Sequence, residues 1–152
     1  MQIEYEAKFL NINKGEVRAK LKSAGAELIK PETLMKRCNF TLPKSNEIEG
    51  SWLRVRDEGD KITMSLKVVC GDKIEDQKEI CLAIDDMKTA IDFLENIGCR
   101  KKAYQETLRE FWRLDGADIT IDTWPFLETF VEIEAASEEE VKKASEKIGF
   151  DY

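Results

Sequence analysis

Hydrophobic and polar residues alternate one for one along most of this chain, and three short segments break the rhythm with helical spacing. Residues 2–10 set the pattern. Ile3, Tyr5, Ala7 and Phe9 fall on one face, and Glu4, Glu6 and Lys8 on the other. A period of two is that of a strand with one face buried. Further strands are expected over 34–42, 51–58, 61–70, 74–82, 102–113, 117–124 and 128–135. Glu58-Gly59-Asp60-Lys61, Gly71-Asp72 and Asp115-Gly116 supply tight turns between them, and Pro125 interrupts the pattern after 117–124.

The helical segments carry their own start and stop signals. Asn13 caps the first, with Glu16 at the capping-box position, Val17, Leu21 and Ala24 as its apolar stripe, and Gly25 past its end. The second starts near Asp85 or Asp86, turns Met87, Ile91 and Leu94 inward and stops at Gly98. The third starts at Ser137 with Glu140 in the box position, buries Val141, Ala144 and Ile148, and ends at Gly149. The expected class is α+β. Many short antiparallel strands joined by tight turns favour a curled or closed sheet, because closure removes exposed edges.

The polar faces of these strands are not ordinary. Arg54 and Arg56 share one face of 51–58, beside Trp52; Lys61, Thr63, Ser65 and Lys67 share one face of 61–70. Asp118, Thr120 and Asp122 line one side of 117–124, Glu132 and Glu134 one side of 128–135, and Arg37, Asn39 and Thr41 one side of 34–42. A solvated sheet face explains any one strand. It explains the set less well, since like charges two residues apart on one face repel. Paired carboxylates on two strands and paired arginines on a third suit a shared ligand. Carboxylates hold a hard cation, and guanidinium groups fork onto phosphate oxygens.

Composition narrows the chemistry. Of the 152 residues, 42% are hydrophobic and 36% charged, enough for a core and charge-rich for its size. The net charge of −7 argues against a general nucleic-acid binder. Histidine is absent, which removes Ser-His-Asp and Cys-His catalysis, histidine-ligated zinc and histidine bases. Cys38, Cys70, Cys81 and Cys99 lack zinc-site spacing. With no signal-peptide pattern and no apolar run of membrane length, a cytoplasmic protein with reduced thiols and no membrane partner is expected. No glycine-rich phosphate cradle is present, so side chains must bind any phosphate. The Glu138-Glu139-Glu140 run suits the first turn of a helix and needs no functional account.

Several of these segments resemble the CYTH superfamily, the triphosphate tunnel metalloenzymes. Glu4-Tyr5-Glu6-Ala7-Lys8 resembles the family's ExExK motif, Leu53-Arg54-Val55-Arg56 its LRxR strand, and Ser65-Leu66-Lys67 its TLK strand. Ile119-Thr120-Ile121-Asp122 and Phe130-Val131-Glu132-Ile133-Glu134 resemble its late aspartate strand and closing ExE strand. The matches follow the family's order and spacing over nearly the whole chain, and together they are specific.

The resemblance implies one CYTH-like domain over 1–152, an antiparallel closed barrel of about eight strands with flanking helices. It implies a tunnel that binds a triphosphate-containing small molecule with Mg2+ or Mn2+, in a monomer or homodimer. Glu4, Glu6, Glu132, Glu134 and Asp122 are the implied metal residues. Lys8, Arg54, Arg56, Lys67, Lys102 and Arg109 are the implied phosphate ligands, Lys101 being the alternative to Lys102. Lys8, Asp122 and Arg109 are the implied catalytic residues. Glu79 is a further lining acid or a solvated one, and Arg37 has no assigned role. The strand at 34–42 lacks the aromatic-aspartate ending of cyclase-like members, and the sequence stops at Tyr152, where many members continue. The expected activity is hydrolysis of inorganic triphosphate, a nucleoside triphosphate or thiamine triphosphate. A class IV adenylyl cyclase making cyclic AMP is the alternative, and a non-catalytic polyphosphate- or nucleotide-binding module the second.

Overall fold

Alternation turns into strands and the capped segments turn into helices. The computed structural model describes residues Met1–Tyr152 and contains nine strands and three helices. The strands are β1 (Gln2–Ile3), β2 (Tyr5–Phe9), β3 (Glu27–Thr41), β4 (Ser51–Asp57), β5 (Ile62–Val69), β6 (Gln77–Ile84), β7 (Arg100–Leu114), β8 (Ala117–Thr123) and β9 (Phe130–Ala135). The helices are α1 (Lys14–Ser23), α2 (Met87–Asn96) and α3 (Glu138–Lys147). The hydrogen-bonded order is β1-β6-β5-β4-β3-β7-β8-β9-β2. It starts and ends on β1 and β2, which are consecutive in the chain with Glu4 between them. That division of the N-terminal strand gives nine strands instead of about eight. No helix is long and apolar enough to cross a membrane.

The chain forms two compact units. The first comprises 1–3 and 34–106. In it Cys38, Phe40, Leu53 and Val55, alternate residues of β3 and β4, are buried with Leu94 of α2 and Cys99. Met87, Ala90 and Ile91 of α2 pack against them. Asp86 caps α2 by accepting the Thr89 N–H at 2.6 Å. Gly98 ends it at φ 96°, a conformation glycine adopts without strain. The β4–β5 turn closes as expected, with the Glu58 N–H donating to the Lys61 carbonyl at 2.9 Å.

The second unit comprises 4–33 and 107–152. Ile119 and Ile121 of β8, Val131 and Ile133 of β9, and Trp112 and Leu114 of β7 are buried. So are Val17 and Leu21 of α1 and Val141, Ala144 and Ile148 of α3. The caps are as expected, Asn13 Oδ1 accepting the Glu16 N–H and Ser137 Oγ the Glu140 N–H. The Phe9 and Phe150 rings stack with centroids 4.5 Å apart. Glu110 is a polar residue on this apolar side. It accepts from Arg18 of α1 at 2.7 Å and from Trp112 Nε1 at 2.6 Å, which offsets the cost of burying its charge.

Several strand boundaries differ from the sequence reading, among them β7, which starts at Arg100 instead of 102. β3 begins at Glu27, seven residues before the expected start, which followed the alternation; 27–33 has none and contains Pro31. Residues 74–76 form a 3-10 turn, held by the Lys73 N–H donating to Asp76 Oδ2 at 3.0 Å, so β6 starts at Gln77. β9 starts at Phe130, since residues 124–129 form a loop in which Phe126 takes φ 63°.

Candidate functional site

Each unit carries a polar cluster on the strand faces turned away from its core. In the first unit the register places Arg37 opposite Arg56, and Arg56 opposite Thr63. Asn39 is opposite Arg54, which is opposite Ser65. Trp52 is opposite Lys67, which is opposite Glu79. Directly opposed residues project to the same side, so Arg37, Arg54, Arg56 and Lys67 share one face.

Carboxylates hold two of these cations in place. Arg54 Nη2 donates to Glu79 Oε1 at 3.2 Å. Arg56 donates twice to Glu58 Oε1, through Nε at 3.0 Å and Nη2 at 2.7 Å, and the Thr63 hydroxyl adds a third bond at 3.3 Å. Burial pushes the Glu58 pKa up, but Arg56, Lys61 and the Thr63 hydroxyl outweigh it and hold the carboxyl below its ordinary value. Ser65 is only 1% exposed, and its hydroxyl has no hydrogen-bond partner; Asn39 Oδ1 is another such buried atom. A buried polar atom left unpaired costs about 1–3 kcal/mol. Two of them on an arginine- and lysine-bearing face suit a polar ligand that supplies the missing partners.

The second unit's cluster is a continuous chain of charges. The register sets Lys8 opposite Glu132, Glu132 opposite Thr120, and Asp122 opposite Arg109. Lys8 Nζ lies 2.8 Å from Glu132 Oε1. Arg109 donates from Nη2 to Glu132 Oε2 and from Nε to Asp122 Oδ1, both at 2.7 Å. The Thr120 hydroxyl donates to Asp122 Oδ2 at 2.7 Å, so both oxygens of this fully buried carboxylate are engaged. Burial works against the Arg109 charge, yet Asp122 and Glu132 outweigh it and raise its pKa. Lys8 follows the same pattern, with Glu132, Glu6 and Asp122 overcoming burial.

The remaining acids complete this face. Glu6 sits directly opposite Glu134, and Glu134 opposite Asp118. Glu4 is buried, Glu6 half-buried and Glu134 exposed. No group of three or more carboxylates or thiols is drawn together tightly enough to form a ready-made metal cage. The donor set nonetheless fits a hard cation. Magnesium usually takes one or two carboxylates and completes its shell with water and phosphate oxygens. The cross-strand carboxylate pair Glu6 and Glu134 is one that a cation relieves.

The CYTH domain model matches residues 2–150. The chain belongs to the CYTH domain family. No curated protein sequence matches it. Its fold is shared by solved structures of low identity. The PH1012 protein from Pyrococcus horikoshii OT3 has a TM-score of 0.82 at 19% identity, covering 97% of this chain and 91% of that one. A proposed adenylate cyclase from Vibrio parahaemolyticus has a TM-score of 0.82 at 16% identity, with coverage of 97% and 88%. HpAC1 from Hippeastrum, a proposed adenylyl cyclase with a dominant triphosphatase activity, has a TM-score of 0.66 at 15% identity, with coverage of 98% and 89%. At such identities the likeness carries the fold and not the activity.

The CYTH motifs thus divide between the two units. Arg54, Arg56 and Lys67 lie in the first; Glu4, Glu6, Lys8, Arg109, Asp122, Glu132 and Glu134 lie in the second. Lys102 is exposed on β7, and Lys101 is ion-paired with Glu95 of α2 at 3.5 Å. Sequence reasoning did not single out Glu58, which it placed in a turn, or Thr120 as a partner of Asp122. The signal for Thr120 was its place two residues before Asp122, on the same strand face.

Proposed function

We propose that this CYTH protein is a divalent-metal-dependent hydrolase of a triphosphate compound, whether inorganic triphosphate, a nucleoside triphosphate or thiamine triphosphate. The observation that carries the reading is the arginine and lysine face of the first unit, with unpaired Ser65 and Asn39 oxygens among its cations. Arg54, Arg56 and Lys67 bind phosphate oxygens by charge-assisted hydrogen bonds, and Lys102 adds a further cation. Lys8 stays protonated at neutral pH through its acidic neighbours and donates to phosphate. Arg109 holds Asp122 and Glu132, fixing the carboxylates as acceptors that orient the attacking water. Water adds to the terminal phosphorus, the bond to the bridging oxygen breaks, the diphosphate compound leaves with that oxygen, and the water's proton passes to solvent as orthophosphate is released.

Glu4, Glu6, Glu132, Glu134 and Asp122 are the residues suited to hold Mg2+ or Mn2+, which supplies neutralisation of phosphate charge as the bond breaks. With no histidine in the chain, proton handling falls to carboxylates, Lys8 and water.

A cyclase reading uses the same residues on ATP, with the ribose hydroxyl attacking the α-phosphorus and pyrophosphate leaving. The proposed cyclase among the similar structures supports it as the second choice. Incubation with ATP and either Mg2+ or Mn2+, followed by product analysis, separates the two. Orthophosphate is the expected product. Cyclic AMP with pyrophosphate would move the assignment to the cyclase. Binding of tripolyphosphate indifferent to the cation, with no turnover, would make the chain a non-catalytic binding module.

A further inference from the structure

The second unit contains a cavity of about 360 Å3 lined in part by Lys8, and apart from Lys8 none of its lining residues has a part in the phosphate chemistry. Trp124, Phe130, Leu10 and Leu127 make its walls, and Asn11 and Glu128 add polar groups. The Trp124 and Phe130 rings meet at a 45° tilt with centroids 6.2 Å apart, and the Lys8 ammonium stands 4.8 Å above the Phe130 ring. Strand and loop chemistry place these residues together. Trp124 follows the last residue of β8, Phe130 opens β9, and the loop joining them begins at Pro125. Phe126 in that loop is fully exposed and holds φ 63°, a conformation costly for a bulky side chain. Strain of this kind persists where a loop is shaped for a task.

We infer that this cavity binds the flat ring of an organic triphosphate, so that the enzyme selects a ring-bearing compound over inorganic triphosphate. The inference rests on the triphosphatase reading and adds the substrate class to it. Two features argue for a ring. The walls are aromatic and aliphatic with a few polar groups, and the volume is that of a small-ligand site. Lys8 belongs both to the cavity and to the charge network through Glu132, so one side chain links the ring pocket to a proposed phosphate ligand. A heterocycle entering here stacks on Trp124 and finds donors and acceptors in Asn11 and Glu128. Inorganic triphosphate has nothing to place against these walls.

The test compares specificity rather than activity. kcat/KM is measured for ATP, thiamine triphosphate and tripolyphosphate in the wild type, in Trp124→Ala and in Leu127→Gln. The expected result is a fall of about tenfold in the ratio of the preferred organic substrate to tripolyphosphate for W124A, the scale of one lost ring-stacking contact. A several-fold fall is expected for L127Q. If W124A fails to fold, L127Q decides, because Leu127 is largely exposed and tolerates a polar side chain. An unchanged ratio in the folded variants overturns the inference. Absence of turnover with all three compounds sinks the hydrolase reading separately, and the same ratio is then taken from calorimetric dissociation constants. A wild-type chain that binds neither organic triphosphate overturns the ring pocket.

Discussion

Arg109 and Asp122 face each other directly across β7 and β8, and the guanidinium Nε donates to a carboxylate oxygen of a side chain with no solvent exposure. A charge buried so completely needs its partner, and here one partner also serves Glu132. Arg109→Ala leaves Asp122 without its cation. The expected loss is about 3–5 kcal/mol of unfolding free energy, the range for breaking a buried pair from one side. Urea unfolding measures it. Arg109→Lys retains charge without the fork and should fall between the two. Equal stability of R109A and wild type would show that Asp122 is held by other means.

The second prediction concerns Arg54. Its guanidinium shares a face with Arg37, Arg56 and Lys67, and Glu79 holds it loosely at 3.2 Å. Arg54→Ala should weaken tripolyphosphate binding by about tenfold or more, the equivalent of one charge-assisted hydrogen bond. Isothermal calorimetry at fixed Mg2+ gives the constant. Affinity within twofold of wild type would remove Arg54 from the phosphate ligands.

Strand faces were legible in the sequence, and strand ends and turn side chains were not. The strand faces were readable because a period of two fixes which side each residue takes, so Arg54 with Arg56 and Glu132 with Glu134 were paired from the sequence. The start of β3 was not, because 27–33 carries no alternation and Pro31 reads as a break. Glu58 was lost for a related reason. Its place in a Gly-containing turn suggested solvent, whereas its carboxylate turns back to bind Arg56 and Thr63. Side-chain direction at a turn depends on contacts that no local pattern encodes.

Acid stability should report on that Glu58 contact. The folded pKa of Glu58 lies below the ordinary value because its cationic neighbours outweigh its burial. A depressed carboxylate contributes stability that is complete above its unfolded value, near the ordinary 4.5, and is lost as pH falls through the lower folded value. Arg56→Gln removes the principal stabilising charge and should move the acid-unfolding midpoint to higher pH, as followed by circular dichroism. Repulsion between Arg54 and Arg56 on one face of β4 would by itself make removal of either arginine stabilising; the Glu58 contact predicts the opposite for Arg56. A midpoint unchanged between R56Q and wild type would break this link.

The cation prediction follows from Glu6 and Glu134, which stand opposite each other on β2 and β9. Like charges directly opposed across two antiparallel strands oppose pairing by roughly 0.2–1 kcal/mol, and the exposure of Glu134 places the effect at the lower end. A divalent cation on this face reverses the sign, turning the repelling pair into ligands. If this face holds the cation as proposed, Mg2+ or Mn2+ should raise the thermal midpoint of the wild type by mass action, since only the folded chain brings these carboxylates together. Glu134→Gln removes one charge without changing the side-chain shape. Its midpoint without cation should equal or slightly exceed that of the wild type, while the gain on adding cation should shrink. Chelation should abolish triphosphate turnover, and added Mg2+ should restore it. Thermal scans with and without cation, at constant ionic strength, distinguish ligation from general screening. A cation gain of the same size in E134Q and wild type would take Glu134 out of the metal set while leaving Glu4, Glu6, Glu132 and Asp122 to be tested in the same way.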